Sequence, residues 1–157
     1  MLADPEPQRC MIMADELRLA GYQIHVTGCH PTDGRCWDRV ANDALDEFGG
    51  LDVVVHTRPP DAAVSLQNAL ERFLEPMKPD GMAGRGGSII CVLSDDNSAP
   101  DTRTAFQSIR QTAGECARSG FGIRVNLVNA TASGPDSVPA LGNDIALAVL
   151  YLSLIHI

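Results

Sequence analysis

Aromatic side chains are scarce in this 157-residue chain: four Phe, two Tyr and a single Trp make up 4% of it. Its core must therefore be built mostly from Ala, Leu, Val and Ile, the usual composition of a sheet covered by helices. Basic residues are also few, with twelve Lys and Arg against twenty Asp and Glu, a net charge of −8. Nucleic-acid binding needs a basic footprint and stacking rings, and neither is present. No apolar run approaches the roughly 20 residues needed to span a bilayer. No basic, apolar, small-residue leader opens the chain, so a soluble cytoplasmic protein is expected. The five cysteines, at 10, 29, 36, 91 and 116, are odd in number and form no CxxC pair. Reduced thiols are therefore expected rather than a disulfide framework. His25, Cys29, His30 and Cys36 lie within twelve residues and are all possible zinc ligands. However, His25 sits in an apolar run and no second close ligand pair follows, so these side chains read as core and surface and no metal is expected.

What the chain does contain is enough apolar residue, 45%, to bury the core of one domain, and no linker divides residues 1–157. Residues 9–20 carry Met13, Leu17 and Ala20 at helical spacing before Gly21, predicting a helix. YQIHVT (22–27) alternates and is rich in β-branched residues, which predicts a strand ending at Gly28. WDRVANDALDEF (37–48) sets Trp37, Val40, Ala41, Ala44, Leu45 and Phe48 on one helical face, and Gly49–Gly50 follow. LDVVVH (51–56) is a nearly continuous apolar run, the pattern of a strand buried on both faces of a parallel sheet. The second half repeats this grammar: a helix at about 62–76, a glycine-rich turn at 81–87, a strand at 88–94, a helix at 101–119, a strand at 123–130 and a last helix at about 141–153. Strands alternating with helices predict βαβ units, and hence an α/β, doubly wound parallel sheet with helices on both faces.

The same segments, LDVVVH, GGSIICVLS, AFQSIRQTAGECAR, GIRVNLVNA and DIALAVLYLS, occur in an order and spacing that resemble the short-chain dehydrogenase/reductase family. The resemblance covers most of residues 9–153 and implies a Rossmann-like fold, truncated. No room is left for the family's first strand, for its third strand with the following helix, or for its last strand. The strand at 22–27 would then pair directly with 51–56. Residues 154–157, at the end of SLIHI, are expected to be a non-native or disordered tail.

The resemblance also implies where NAD(P) and the catalytic groups would lie. Gly28, Cys29, His56, Thr57, Ala130 and Thr131 hold the cofactor-binding positions, and Ser94 stands where the family has its catalytic Ser. The family's catalytic Tyr is replaced by Phe106 and its Lys by Arg110. Phe has no hydroxyl with which to move the proton that accompanies hydride transfer. Arg keeps the charge but, with a pKa above about 12, has no tyrosine to tune. The stretch that aligns with the pyrophosphate-binding turn, ADPEPQRC (3–10), has no glycine, two prolines and the acidic pair Asp4 and Glu6. A pseudoenzyme or non-catalytic partner subunit of a reductase is therefore expected. It would oligomerise through the helices at 62–76 and 101–119, whose Ala62, Ala63, Leu66, Leu70, Ala105, Ile109, Ala113 and Ala117 are candidates for a four-helix contact. Two rival readings are an active NAD(P)-dependent carbonyl reductase of the 3-oxoacyl or hydroxysteroid kind, and a lyase or isomerase with an apolar pocket near Ser94, His56 and Arg110.

Overall fold

A computed structural model describes residues 1–30, 32–57, 62–78, 86–94, 100–130 and 146–148. The elements run β1 (Leu2–Asp4), α1 (Gln8–Leu19), β2 (Val26–Gly28), α2 (Gly34–Phe48), β3 (Val53–Thr57), α3 (Ala62–Met77), β4 (Gly87–Ser94), α4 (Pro100–Ser119) and β5 (Ile123–Ala130). The α/β class and the parallel pairing are as the sequence predicts, but the strands form two sheets. One is the pair β1–β2; the other is the three-stranded order β3–β4–β5.

The first strand is a correction to the sequence reading. Leu2–Asp4 is a short strand that pairs in parallel with β2, Leu2 opposite Val26 and Asp4 opposite Gly28. The strand expected at 22–27 is confined to Val26–Gly28, and its partner is β1 rather than β3. Tyr22 to His25 lead into it as irregular chain, tied by Arg18, which donates to the Ile24 carbonyl at 2.9 Å. Of the expected last helix, residues 146–148 are helical. The rest of it, and the tail 154–157, lie outside the described residues.

The larger sheet carries the core. Its register sets Val54 beside Ile89 and Ile89 beside Val125, then His56 beside Cys91 and Cys91 beside Leu127. Side chains alternate along a strand, so these residues share one face, and α2, α3 and α4 cover it. Leu70, Phe73 and Met77 of α3 and Ile109 and Cys116 of α4 are buried against that face. Burying Leu70, Phe73 and Met77 is worth roughly 5–9 kcal/mol in total. The half-exposed Arg72–Asp38 ion pair that also links α3 to α2, at 3.2 Å, adds at most about 1 kcal/mol. Apolar burial therefore holds α3 in place.

Local signals explain the limits of α2. The Asp33 side chain accepts from the Arg35 amide at 3.0 Å and caps the start. Gly49, at φ 70°, ends the helix in the left-handed conformation, with its N–H on the Leu45 carbonyl. Cys36, Val40, Ala41 and Ala44 form its buried stripe.

Helix α1 departs from its expected burial. Ala14 is its buried residue, whereas Met13 and Ala20 are exposed and Leu19 is 90% exposed. The cause is the small size of what it packs on, because two three-residue strands cannot cover a full helical face.

The thiol expectation is overturned for one pair. Cys29 and Cys36 are disulfide-bonded, with their Cα atoms 5.3 Å apart, across the turn from β2 into α2. Cys10, Cys91 and Cys116 are free. Burial pushes the Cys91 thiol up to about 12, which keeps it protonated and inert. No described helix is long and apolar enough to cross a membrane.

Candidate functional site

The carboxyl ends of parallel strands are where an α/β sheet presents its loops to a ligand. Here those ends are Asp4 and Gly28 in the two-stranded sheet and Thr57, Ser94 and Ala130 in the three-stranded one. Thr57 is level with Val92, and Ser94 with Ala130, so β4 and β5 reach two residues beyond β3. The backbones of Ser94 and Ala130 are described and their side chains are not; Thr131, Asp95 and Asp96 lie outside the described residues.

At the β1–α1 end, the residues do not fit a dinucleotide. The connection is Pro5–Glu6–Pro7, and the Glu6 amide donates to the Asp4 carboxylate at 2.8 Å. The Arg9 and Cys10 amides donate to the Glu6 and Pro7 carbonyls. A pyrophosphate seated here would need free amides and neutral or positive surroundings. It would meet donors already engaged, two prolines that contribute none, and the exposed Glu6 carboxylate. Gly28 is close by, lying against the Pro7 ring, and its carbonyl accepts from the Arg39 guanidinium. The next residue, Cys29, is tied into the disulfide, and its amide donates to the Asp4 carbonyl at 3.0 Å.

On α4, Phe106 is partly buried and packs against the core, while Arg110, one turn further on, is exposed. No pairing of Phe106 and Arg110 into an acid–base couple is chemically available, since the phenyl ring carries no exchangeable proton.

A second feature sits between the two sheets. A cleft of about 400 Å³ runs along the seam between β1 and β3. Met1 and Ala3 line one side, Val53 to Thr57 the other, and Trp37, Phe48 and Phe73 form an aromatic wall. The Trp37 ring lies 5.8 Å from Phe73, edge-on, and 5.7 Å from the His56 imidazole, tilted by 41°. His56 is 6% exposed, and burial lowers its pKa from 6.5 to about 4, against a smaller opposing effect of its own backbone hydrogen bond. The imidazole is therefore neutral near pH 7. Of the residues near which a lyase or isomerase pocket is expected, Ser94, His56 and Arg110, this cleft is lined by His56 and not by Arg110, and the Ser94 side chain lies outside the described ones. Of the wall, the sequence reading had placed Trp37 and Phe48 on an inward helical face. The sequence places an apolar pocket near His56 but not along this seam, because the cleft depends on how the strands divide between two sheets.

The cluster His25, Cys29, His30 and Cys36 is dispersed. His25 faces Asp43 at 3.7 Å and Glu47 at 3.5 Å, His30 Nδ1 meets the Thr32 hydroxyl at 2.9 Å, and the two cysteines are bonded to each other. Among the described residues, no group of three potential ligands converges.

No family model and no curated protein matches the sequence. Solved structures do match in fold. A short-chain dehydrogenase from Mycobacterium smegmatis superposes with a TM-score of 0.76 at 18% identity, over 96% of this chain and 72% of its own. Hydroxysteroid dehydrogenase from Escherichia coli gives 0.76 at 20% identity, over 97% and 77%. A short-chain dehydrogenase/reductase from Burkholderia phymatum, solved in complex with NAD, gives 0.70 at 14% identity, over 83% of this chain and 55% of its own. The chain thus spans about half to three quarters of the length of these structures. Its fold is a truncated, Rossmann-like form of the one they share, and the chain resembles the short-chain dehydrogenase/reductases.

Proposed function

We propose that this chain is a short-chain dehydrogenase/reductase-like scaffold that lacks the family's hydride-transfer chemistry and serves as a non-catalytic partner subunit of a reductase of similar fold. The observation that carries this reading is the β1–α1 connection, where Asp4 takes the Glu6 amide and prolines flank it. Phe106 and Arg110, at the positions of the family's Tyr and Lys, point the same way. NAD and NADP accompany some of the matched structures; in this chain, with Cys29 disulfide-bonded, the residues at the corresponding positions do not make a pyrophosphate cradle.

The partner surface proposed is the α3–α4 side. Leu70 and Ile109 are consumed by this chain's own core, which leaves Ala113, partly buried, and Ala117, exposed, available on α4 for a contact. A titration with NADH and NADPH, read by thermal melting, tests the loss of cofactor binding. The expected result is no shift at millimolar cofactor. A functional site at 100 times Kd would add about 2.7 kcal/mol and raise the melting temperature by roughly 5–10 °C. A shift of that size would replace this reading with an active NAD(P)-dependent oxidoreductase. Size-exclusion chromatography with a reductase encoded beside this chain tests the partnership, and absence of co-elution would refute it.

A further inference from the structure

We infer that the Cys29–Cys36 bond is a reversible thiol–disulfide switch that sets the first turn of α2 and, through it, the Trp37 ring, with a small thiol of the glutathione class as its reductant. This goes beyond the scaffold reading and does not depend on whether a dinucleotide or a partner subunit binds.

The bond joins β2 to α2, and the turn it closes is also braced without it. Cys29 follows β2 and Cys36 is the third residue of α2, with their Cα atoms 5.3 Å apart. Between them the Asp33 amide donates to the His30 carbonyl and the Cys36 amide to the Asp33 carbonyl, each at 3.0 Å, and His30 Nδ1 meets the Thr32 hydroxyl. Arg39, one turn further along α2, donates to the Gly28 carbonyl and ties the helix to the end of β2 a second time. Both cysteines are buried in the core cluster with Val40 and Ala41, where a free thiol packs as a small apolar group. The chain can therefore open this bond and keep its fold, with the two thiols left near enough to rejoin.

The chemistry of the place favours exchange. His30, Thr32, Asp33 and Arg35 are exposed, so local opening of this turn brings a sulfur to solvent without unfolding the sheet. Cys36 lies in the first turn of α2, where amides without helical partners stabilise a thiolate. The Arg39 guanidinium on Gly28 adds positive charge there, against the Asp33 carboxylate at the cap. The thiolate of one glutathione attacks Cys29 Sγ, the sulfur–sulfur bond breaks, and Cys36 leaves as a thiolate that takes up a proton. A second glutathione attacks the mixed disulfide and releases Cys29, so two electrons and two protons reach the protein and oxidised glutathione departs. Two non-bonded thiols need more room than a bonded pair, and the core around them is close-packed. The first turn of α2, with Arg35 exposed, is the part that yields. Trp37 is the next residue, and its ring packs against Phe73 and His56. The state of the pair is thus read by the chain's single Trp.

The test equilibrates the whole chain in about 10 mM glutathione, at ratios of reduced to oxidised form from about 1:1 to about 100:1. The cross-linked peptide that contains Cys29 and Cys36 is followed by mass spectrometry, Trp37 by fluorescence and the α2 amides by hydrogen exchange. The cross-link is expected to fall by half within this range and to return when the ratio is reversed, with the circular dichroism unchanged. Reduction is expected to shift the Trp37 emission and to speed exchange at the Cys36, Trp37 and Asp38 amides by about 10-fold or more. The double variant Cys29→Ser, Cys36→Ser is expected to show no response of Trp37 to the ratio, which separates the pair from the free Cys10; the titration of the unaltered chain decides the matter where that variant unfolds. The inference is overturned by a cross-link that persists at every ratio, by one lost only as the chain unfolds, or by its absence from the air-oxidised chain. Unaltered Trp37 emission and exchange on reduction, or an equal response in the double variant, would overturn it as well.

Discussion

His56 ties the stability of the fold to pH. Its ring is buried beside Trp37, and its pKa falls from 6.5 to about 4 because burial disfavours the charged form. The unfolded chain takes up this proton near pH 6.5 and the folded chain only near pH 4, so the contribution is fully present above pH 6.5. It is lost as the pH falls through that window. The 2.5-unit gap amounts to about 3 kcal/mol in all, of which about 2 kcal/mol is lost between pH 7 and pH 5. Urea denaturation of the chain and of His56→Gln at pH 7, 6 and 5 measures it. The substitution lowers stability at every pH by leaving a poorly filled site, but it removes the titration. The gap between the two proteins is therefore expected to narrow by about 2 kcal/mol from pH 7 to pH 5. Contributions from other groups are common to both proteins and cancel. A gap that stays constant over this range would refute the assignment of a neutral, desolvated imidazole to the core.

Three further outcomes are expected. Iodoacetamide should label three of the five cysteines in the native chain after denaturation without reductant, and Cys36→Ala should cost roughly 2–3 kcal/mol in oxidising buffer, the loop entropy of a seven-residue separation; labelling of all five would exclude the Cys29–Cys36 bond. Gly87→Ala should cost about 1–3 kcal/mol or prevent folding, because Gly87 has φ 149° and a Cβ there would collide with the Asp52 carbonyl and the Met77 methyl, whereas Gly49→Ala, with open space around it, should cost only about 1 kcal/mol; equal denaturation midpoints for the two variants would contradict this packing. Restoring the family's catalytic pair with Phe106→Tyr and Arg110→Lys should yield no NADH- or NADPH-dependent carbonyl reduction, because the β1–α1 connection is unchanged; measurable turnover would show that the lost pair, and not the turn, is the obstacle.

Most of the larger sheet was legible, but β3, read as 51–56 and buried on both faces, runs Val53–Thr57 with Val53 and Val55 exposed, because the helices packed on the sheet lie on its other face. IRVNLVNA (123–130) is the observed β5 residue for residue, and the helices at 62–76 and 101–119 are displaced by at most one residue at either end. These elements are long, strongly patterned and packed against one another, so local pattern and tertiary burial agree. The amino-terminal third was less legible for the opposite reason. A three-residue strand has too few positions for alternation to register, and Met13 and Ala20, which look inward by spacing, find no surface large enough to bury them. The disulfide was hidden as well, because a C-x₆-C spacing carries no signal until the turn between β2 and α2 folds the chain back. Of the candidate site, Phe106 and Arg110 carry their positions from the family resemblance alone, whereas the engagement of the Glu6, Arg9 and Cys10 amides emerges only once the β1–α1 connection is folded.

Whether a pyrophosphate can be seated turns on the connection that follows β1. In the family the chain resembles, the first strand leads into the glycine-rich turn that holds the pyrophosphate. Here β1 has three residues, pairs with β2 and ends in Pro5–Glu6–Pro7. That ending spends the amides a phosphate would need. Glycine at positions 5, 6 and 7 would return backbone donors and remove one carboxylate while leaving β1 and β2 paired as they are. Such a variant is expected to raise the affinity for NADH, read as a cofactor-dependent rise in melting temperature. No gain would mean that the chemistry of this connection is not what sets the cofactor site.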